Sequence, residues 1–370
     1  MTRIQLEIQL IAVIVAAACA LPGVFLVLRR MALMSDAISH SILLGIVVVF
    51  FAVESLTSPL LIVGAAATGV LTVWLVELVH GTRLVKEDAA IGLVFPALFS
   101  IGVILIARYA GSVHLDIDAV LLGELAFAPF RRLDVGGVDL GPQALWMMTA
   151  ILAINVLFLA LFYKELKITT FDAALAASLG ISPAVIHYGF MTLVSVTAVG
   201  AFDAVGSVLV IALMIAPPAA AWLLTDRLSR MIGLSAAIGS VSAIAGYWLA
   251  HWLDASIAGS MATMAGLSFG IVFLFAPGRG VVALARRRAR QRLEFAQRML
   301  VIHLLHHEAS AEAERENRVA HLHEHLRWSP GFAERIVRTA ERRELVRCER
   351  NDALELTAAG RSLAEAALVR

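Results

Sequence analysis

The chain has 370 residues, of which 60% are hydrophobic, and its mean hydropathy is +0.84. Because soluble domains are about 45–50% apolar, this composition excludes a soluble globular protein and indicates an integral membrane protein. The formal net charge of +1 does not by itself point to any partner, and the two distant cysteines, Cys19 and Cys348, indicate no disulfide framework.

Long apolar runs bounded by charged residues, proline or glycine predict transmembrane helices, because lipid offers no hydrogen-bond partner to an irregular backbone. Nine spans are predicted, at residues 5–28, 31–52, 58–79, 88–107, 143–163, 184–201, 204–224, 231–252 and 257–276. Connections that contain Lys or Arg alternate with connections that lack them. This pattern predicts that the N-terminus lies outside and the C-terminus lies in the cytoplasm.

One connection fits this topology less well. The segment 108–142 is predicted to lie outside, yet it carries three arginines. It also contains DIDAVLLGELAF, a stretch compatible with a short re-entrant or interfacial helix. Eight or ten spans therefore remain open alternatives.

The second apolar run, MALMSDAISHSILLGIVVVF, carries an aspartate and a histidine. Asp36 and His40 are four residues apart and therefore share one face of a helix. A charge in hydrocarbon costs at least about 2.5 kcal/mol, which makes such residues functional candidates. A carboxylate and an imidazole form half of a site for manganese, zinc or ferrous iron, and a dimer would supply four ligands. Alternatively, Asp36 pairs with Arg29 or Arg30 and His40 packs against a backbone carbonyl.

Three other features of the spans are open to more than one interpretation. Pro218, in APP at 216–218, predicts a break in the seventh span, which either lines a pathway or is a tolerated kink. Asp203 lies near a predicted outer end, where it is a candidate for an outer gate. His187 lies near a cytoplasmic end and is interpreted as structural.

Several separated motifs carry a family resemblance that covers about residues 1–280. They are RRMALMSDAISHSILLGI, EDAAIGLVFPALFSIGVILI, FDAALAASLGIS and AVGSVLVIALMIAPPAAAWLLTDRLSRM. These motifs resemble those of the ABC-type permeases that import manganese, zinc and iron. The resemblance implies that Asp36 and His40 bind the transported ion, and that no cofactor is bound permanently.

The same resemblance implies a set of partners. FDAALAASLGIS would be a cytoplasmic helix that couples the permease to separate ATP-binding subunits; the residues concerned are Phe171, Asp172, Leu175, Leu179 and Gly180. An extracytoplasmic solute-binding protein and a second permease, identical or related, would complete the transporter. The chain itself would not be an enzyme, which agrees with its lack of a GxxxxGK[ST] motif.

Composition changes after Gly280. A basic linker is predicted at 281–294, followed by a polar cytosolic domain at 295–370. The expected order of helix, helix, helix, hairpin and helix is that of a winged helix. The ending LELTAAGRSLAEAALVR is similar to the wing and last helix of metal-dependent repressors of the iron/manganese type. The predicted fold class is therefore an all-α polytopic membrane protein of about nine helices with a small α+β winged-helix domain.

The predicted tail domain has two candidate activities. A winged helix usually binds DNA, but the arginines of its predicted recognition helix alternate with glutamates. We favour sensing or protein docking over DNA binding through 295–370. Two pairs of histidines, His303 with His307 and His321 with His325, have the spacing of a regulatory metal site. Solvated surface histidines are the alternative.

Two other functions remain open at this stage. One is a permease of the same architecture that carries a metal chelate, such as a siderophore or cobalamin. The other is a membrane-anchored, metal-responsive transcriptional regulator whose spans only sense metal. The sequence does not rank manganese, zinc and iron.

Overall fold

The computed structural model of the chain describes residues 2–54, 60–109, 125–135, 138–308, 317–322, 326–349 and 352–368. The chain divides into two compact units, Met1–Arg279 and Gly280–Arg370. Each unit has its own hydrophobic core.

In the described part of the first unit, nine helices are long and apolar enough to cross a membrane, as the sequence predicts. They are α1 (Arg3–Leu28), α2 (Ala32–Val53), α3 (Leu60–Gly81), α4 (Glu87–Tyr109), α5 (Gln143–Leu161), α8 (Pro183–Val205), α9 (Ser207–Leu224), α10 (Leu228–Leu253) and α11 (Ile257–Phe275). Two short helices, α6 (Tyr163–Phe171) and α7 (Ala173–Ser178), lie between α5 and α8. Gly206 alone separates α8 from α9, at a φ of 80° that favours glycine.

Helix α1 is the centre of the bundle. It is apolar on all sides and has the largest buried share of the nine spans, as expected of a helix surrounded by others. It packs against α5, α8, α9 and α10, while α2 packs against α3, α4, α8 and α9. The span that carries Asp36 and His40 therefore lies beside the central helix and is held by several neighbours.

Small and polar residues mediate the closest helix contacts. The backbones of α2 and α3 approach closely at Gly45 and Gly64. Buried Asn155 of α5 donates to the carbonyl of Ala18 in α1 at 2.9 Å and accepts from the hydroxyl of Thr197 in α8 at 3.1 Å. Small residues that admit close backbones, together with such interhelical hydrogen bonds, are what hold helices together where lipid removes the hydrophobic driving force.

Two details of the membrane unit differ from the sequence-based expectation. A short antiparallel hairpin, β1 (Arg132–Val135) and β2 (Val138–Pro142), precedes α5, so the unit is not entirely helical. The prolines do not break the seventh span, because α9 continues through Pro217 and Pro218. Gly23 of α1 leaves room there for the ring of Pro218. The stretch DIDAVLLGELAF lies mostly outside the described residues.

In its described residues, the second unit consists of a long helix followed by shorter elements. It contains α12 (Val281–His307), a 3₁₀ turn (Val319–His321), α13 (Pro330–Arg342), β3 (Val346–Cys348), β4 (Leu354–Leu356) and α14 (Ala358–Leu368). The two strands pair antiparallel and have three residues each. The core of the unit contains Leu300, Leu304, Ile336 and Val346.

The basic segment 281–294 is the first half of α12 rather than a separate linker. Alanine, arginine and leucine favour helix, and neither glycine nor proline interrupts residues 281–307. The compact unit accordingly begins at Gly280.

Candidate functional site

Asp36 and His40 lie together on the first turns of α2. The connection from α1 is tight, with Arg30 at a φ of 63°, and α2 begins at Ala32. His40 Nε2 is 3.2 Å from Asp36 Oδ1, and their side chains are 29% and 34% exposed, respectively. The i, i+4 spacing in the sequence thus places the two side chains in contact, on a surface of the bundle that its own helices only partly cover.

Two aromatic rings and two buried serines are the neighbours of this pair. Phe95 of α4 stacks on the His40 ring at 5.9 Å between centroids, and Phe99 meets it edge-on at 6.1 Å. Ser35 and Ser39 are buried and donate to carbonyls of their own helix, those of Ala32 and Ser35. Because both serines are buried, Asp36 and His40 are the described residues that present ligand-type groups on the open face of α2.

The geometry of the pair suits a shared metal ion. When two ligand atoms each lie about 2.1 Å from one ion and the ligand–metal–ligand angle is octahedral or tetrahedral, the ligand atoms are roughly 3.0–3.4 Å apart. His40 Nε2 and Asp36 Oδ1 are 3.2 Å apart. Among the described residues, no group of three or more His, Cys, Asp or Glu side chains is placed to hold an ion. Within the part of the chain that the structure describes, two groups of ligand type are therefore available here, fewer than the four ligands that zinc usually takes.

Arg29 is an alternative partner of Asp36 on sequence grounds, but the contacts that it makes are with other residues. Arg29 caps the end of α1 and donates to the Thr170 hydroxyl at 3.0 Å and the Thr169 hydroxyl at 3.2 Å, both in α6. Its other guanidinium nitrogen is 3.2 Å from His187 Nδ1, and its charge lies 5.1 Å from the centre of the Phe190 ring. Arg29 therefore ties α1 to α6 and α8 rather than pairing with Asp36.

Glu77 extends this network to a fourth helix. Its Oε1 is 2.6 Å from His187 Nε2 and its side chain is partly buried, so α3 joins α1, α6 and α8. From the sequence alone, His187 is interpreted as structural and no partner is predicted for it. The sequence does show that Glu77 and His187 are ionisable residues within spans, which makes each a functional candidate. It does not show their contact, because the two positions are more than a hundred residues apart.

The predicted coupling residues occupy a short exposed element. Asp172 caps α7, where its side chain accepts from the backbone N–H of Leu175 at 2.9 Å. Gly180 ends the segment at a φ of 81°. Phe171, Leu175 and Leu179 are all exposed. Helix α7 follows directly after the helix that Arg29 holds, so its apolar side chains project from an anchored part of the bundle.

The histidines of the second unit do not assemble into a recognisable metal site in the described residues. His303 and His307 are neighbours on α12, with ring centroids 4.6 Å apart. His321 lies in the 3₁₀ turn, and His325 is outside the described residues. Glu308, a nearby carboxylate, contacts Arg361.

Together, these features define a polytopic membrane protein in which one span presents a carboxylate–imidazole pair on a partly open face. Residues 2–276 match the ABC 3 transport family, and the chain belongs to that family. It is therefore a membrane transport permease, and the family is one of transporters rather than of enzymes.

Individual relatives are similar over most of their lengths. The chain is 53% identical to the zinc transport system membrane protein TroD of Treponema pallidum, over 98% of each chain. It is 50% identical to the manganese transport system membrane protein MntD of Bacillus subtilis, over 77% of this chain and 96% of that one. The structure is similar to PsaBC from Streptococcus pneumoniae, solved in complex with Fab, with a TM-score of 0.63 and 26% identity over 77% of this chain and 96% of that chain.

Proposed function

We propose that this chain is the membrane-spanning permease subunit of an ATP-binding-cassette importer for a divalent transition metal ion. The observation that carries this proposal is the Asp36–His40 pair, whose 3.2 Å separation suits two ligands of one ion. Family membership supports transport, and the names of TroD and MntD support zinc or manganese as the cargo. Ferrous iron is also a candidate cargo, because carboxylate and imidazole ligands suit it as well.

A second permease chain would complete the ion site. One chain contributes two ligands, and their face of α2 is only partly covered by the chain's own helices. Two such faces meeting across an interface would supply two carboxylates and two imidazoles. Phe95 and Phe99 would then shield the ion on one side, so that water is excluded and the electrostatic attraction is strengthened.

Substitution of the ligands tests the ion site. In the assembled transporter reconstituted in proteoliposomes, Asp36→Asn and His40→Gln should each lower initial uptake by at least about tenfold, because each removes a metal ligand. Ser39→Ala is the matched control, since it removes a buried hydroxyl beside His40 that donates to a carbonyl of its own helix. Near-normal uptake by both ligand variants would reject the site.

We propose that residues 171–180 transmit ATP-driven movement to the bundle. Exposed Phe171, Leu175 and Leu179 would enter a groove on a cytoplasmic ATP-binding subunit, and Asp172 and Gly180 would fix the ends of α7. Arg29 supports this role, since it joins α6, the preceding helix, to α1 and α8. An extracytoplasmic solute-binding protein would deliver the ion at the opposite surface.

Matched leucine substitutions test the coupling segment. Leu175→Ser with Leu179→Ser should lower the ATP hydrolysis that accompanies uptake and leave ion binding by the permease unchanged. The control is Leu253→Ser, an equally exposed leucine at the end of α10 predicted to lie outside. Equal effects of the two substitutions on hydrolysis would show that the segment has no special role.

We propose that the tail 295–370 is a cytosolic regulatory unit of winged-helix type, with protein docking or metal sensing favoured over DNA binding. The order of helix, hairpin and helix in α13, β3, β4 and α14 supports this assignment. The length of MntD supports an accessory role, because the 284 matched residues are 96% of that protein, which is too short to contain a comparable tail.

Removal of 295–370 tests the regulatory role. Uptake should persist in proteoliposomes, while inhibition by a high internal metal concentration should weaken. His303, His307, His321 and His325 are the residues that would sense the metal, and protons would compete with it as pH falls. Equal inhibition with and without the tail would reject sensing, and complete loss of uptake would show that the tail belongs to the transport machinery.

Two alternatives are weaker. A transcriptional regulator whose spans only sense metal has little support, because the chain belongs to a transport family. A chelate permease would not need metal ligands in a span. Uptake of free Mn²⁺ or Zn²⁺ that depends on Asp36 and His40 would exclude the chelate alternative.

A further inference from the structure

The first half of α12 is strongly basic, and most of its side chains are exposed. Five arginines occur between 281 and 293 and no carboxylate does; they are Arg286, Arg287, Arg288, Arg290 and Arg292. Residues 284–292 are exposed on every side of the helix. A stable helix that is polar all round usually either bridges two domains through solvent or is supported by many i, i+4 ion pairs, and one such pair, Arg290 with Glu294, is present in the described residues.

Few of these arginines are neutralised within the chain. Arg290 pairs with Glu294 at 3.0 Å, and Arg292 lies over the Phe332 ring at 4.7 Å. In the described part of the chain, Arg286, Arg287 and Arg288 have no ion pair. The basic surface formed by residues 286–292, here called the arginine helix, is therefore available to an anionic partner.

The arginine helix follows the membrane unit closely in the sequence. Arg279 contacts the carboxylate of Asp226 and donates to the carbonyl of Trp222 at 2.8 Å, so the chain is held at the turn between α9 and α10. Helix α12 starts two residues later at Val281. The last span ends at Phe275, six residues before that start, which limits the distance between the two residues to at most about 22 Å.

We propose that the arginine helix binds the headgroups of anionic phospholipids at the membrane surface from which it emerges. Guanidinium groups bind phosphate oxygens through paired hydrogen bonds. Clusters of basic residues directly after a span are attracted to anionic leaflets. Val281 and Leu284 are exposed apolar residues at the start of α12, and they suit insertion between headgroups.

Nucleic acid is the competing polyanion, and two observations favour lipid. The exposed Val281 and Leu284 have no role against a phosphate backbone. The covalent connection to α11 also holds the arginine helix at a membrane surface, where lipid headgroups are always in excess. Helix α13, by contrast, mixes its arginines with acids, and Arg338 there pairs with Glu334 at 3.0 Å.

The test uses the full chain in nanodiscs of phosphatidylcholine, with and without about a third of phosphatidylglycerol. The readout is the rate of tryptic cleavage after Arg290 and Arg292, followed by mass spectrometry. Each arginine near an anionic surface strengthens binding by roughly fivefold. Phosphatidylglycerol should therefore slow cleavage by at least about tenfold, and high salt should remove most of this protection.

Two charge-matched variants identify the residues responsible. R286Q/R287Q/R288Q should lose most of the protection, while R335Q/R338Q/R342Q, with the same change in charge on α13, should retain it. Equal cleavage in the two lipid mixtures would overturn the proposal. Protection by duplex DNA but not by phosphatidylglycerol would also overturn it, in favour of nucleic acid. Because no transport is measured, these outcomes are independent of the proposed ion site.

Discussion

The close approach of α2 and α3 at Gly45 gives a prediction whose size follows from the structure. An alanine Cβ at position 45 would lie 2.3 Å from the carbonyl oxygen of Gly64 and 2.4 Å from the hydroxyl of Thr68. The carbonyl belongs to a helix backbone, so α2 and α3 would have to separate by about 1 Å to reach ordinary contact. Such overpacking costs about 1–3 kcal/mol, of which up to about 1 kcal/mol is recovered because alanine favours helix over glycine.

Thermal melting of the purified chain in detergent tests this estimate. Gly45→Ala should lower the apparent melting temperature by several degrees, since 1 kcal/mol corresponds to about 2–4 °C in domains of about 150–250 residues. Gly266→Ala in α11 is the matched control, because no other atom lies within 4 Å of its added Cβ, and it should be neutral or slightly stabilising. A Gly45→Ala protein as stable as the Gly266→Ala protein would refute the assigned helix contact.

Two further predictions concern other parts of the chain. Burial and the nearby carboxylates raise the pKa of the Cys348 thiol. The rate of maleimide labelling of Cys348 should therefore be low at neutral pH, and it should still increase at pH values where the labelling rate of a free cysteine no longer changes. Cys19 is buried in α1 and should stay unlabelled until the protein unfolds. A labelling rate for Cys348 that becomes constant below the pKa of a free cysteine would contradict the expectation for Cys348. Replacing Thr169 and Thr170 together with valine should lower the melting temperature by several degrees, because a partly buried guanidinium loses two acceptors. Thr192→Val removes only an exposed bond within α8 and should change little.

The spans and the Asp36–His40 pair could be predicted from the sequence because both depend on local pattern. Hydropathy over about 20 residues is enough to place a membrane helix. A spacing of four places two side chains on one face whatever the rest of the fold does. The same holds for α7, where Asp172 and Gly180 are short-range signals for the start and end of a helix.

The long-range contacts could not be predicted in this way. Arg29 is near Asp36 in the sequence, which makes it a candidate partner, yet its hydrogen bonds reach positions 140 or more residues away. The continuity of α9 through Pro217 and Pro218 likewise depends on space left by Gly23 in another helix. The hairpin of β1 and β2 is too short for an alternating pattern to predict it.

The central claim is that Asp36 and His40 from two chains hold one transported ion. Equilibrium binding of Zn²⁺ or Mn²⁺ to the purified permease, with the number of ions counted per chain, tests this claim most directly. We expect one ion for every two chains, loss of that ion in Asp36→Asn and His40→Gln, and its retention in Ser39→Ala. One ion per chain, or binding that survives both ligand substitutions, would contradict the claim.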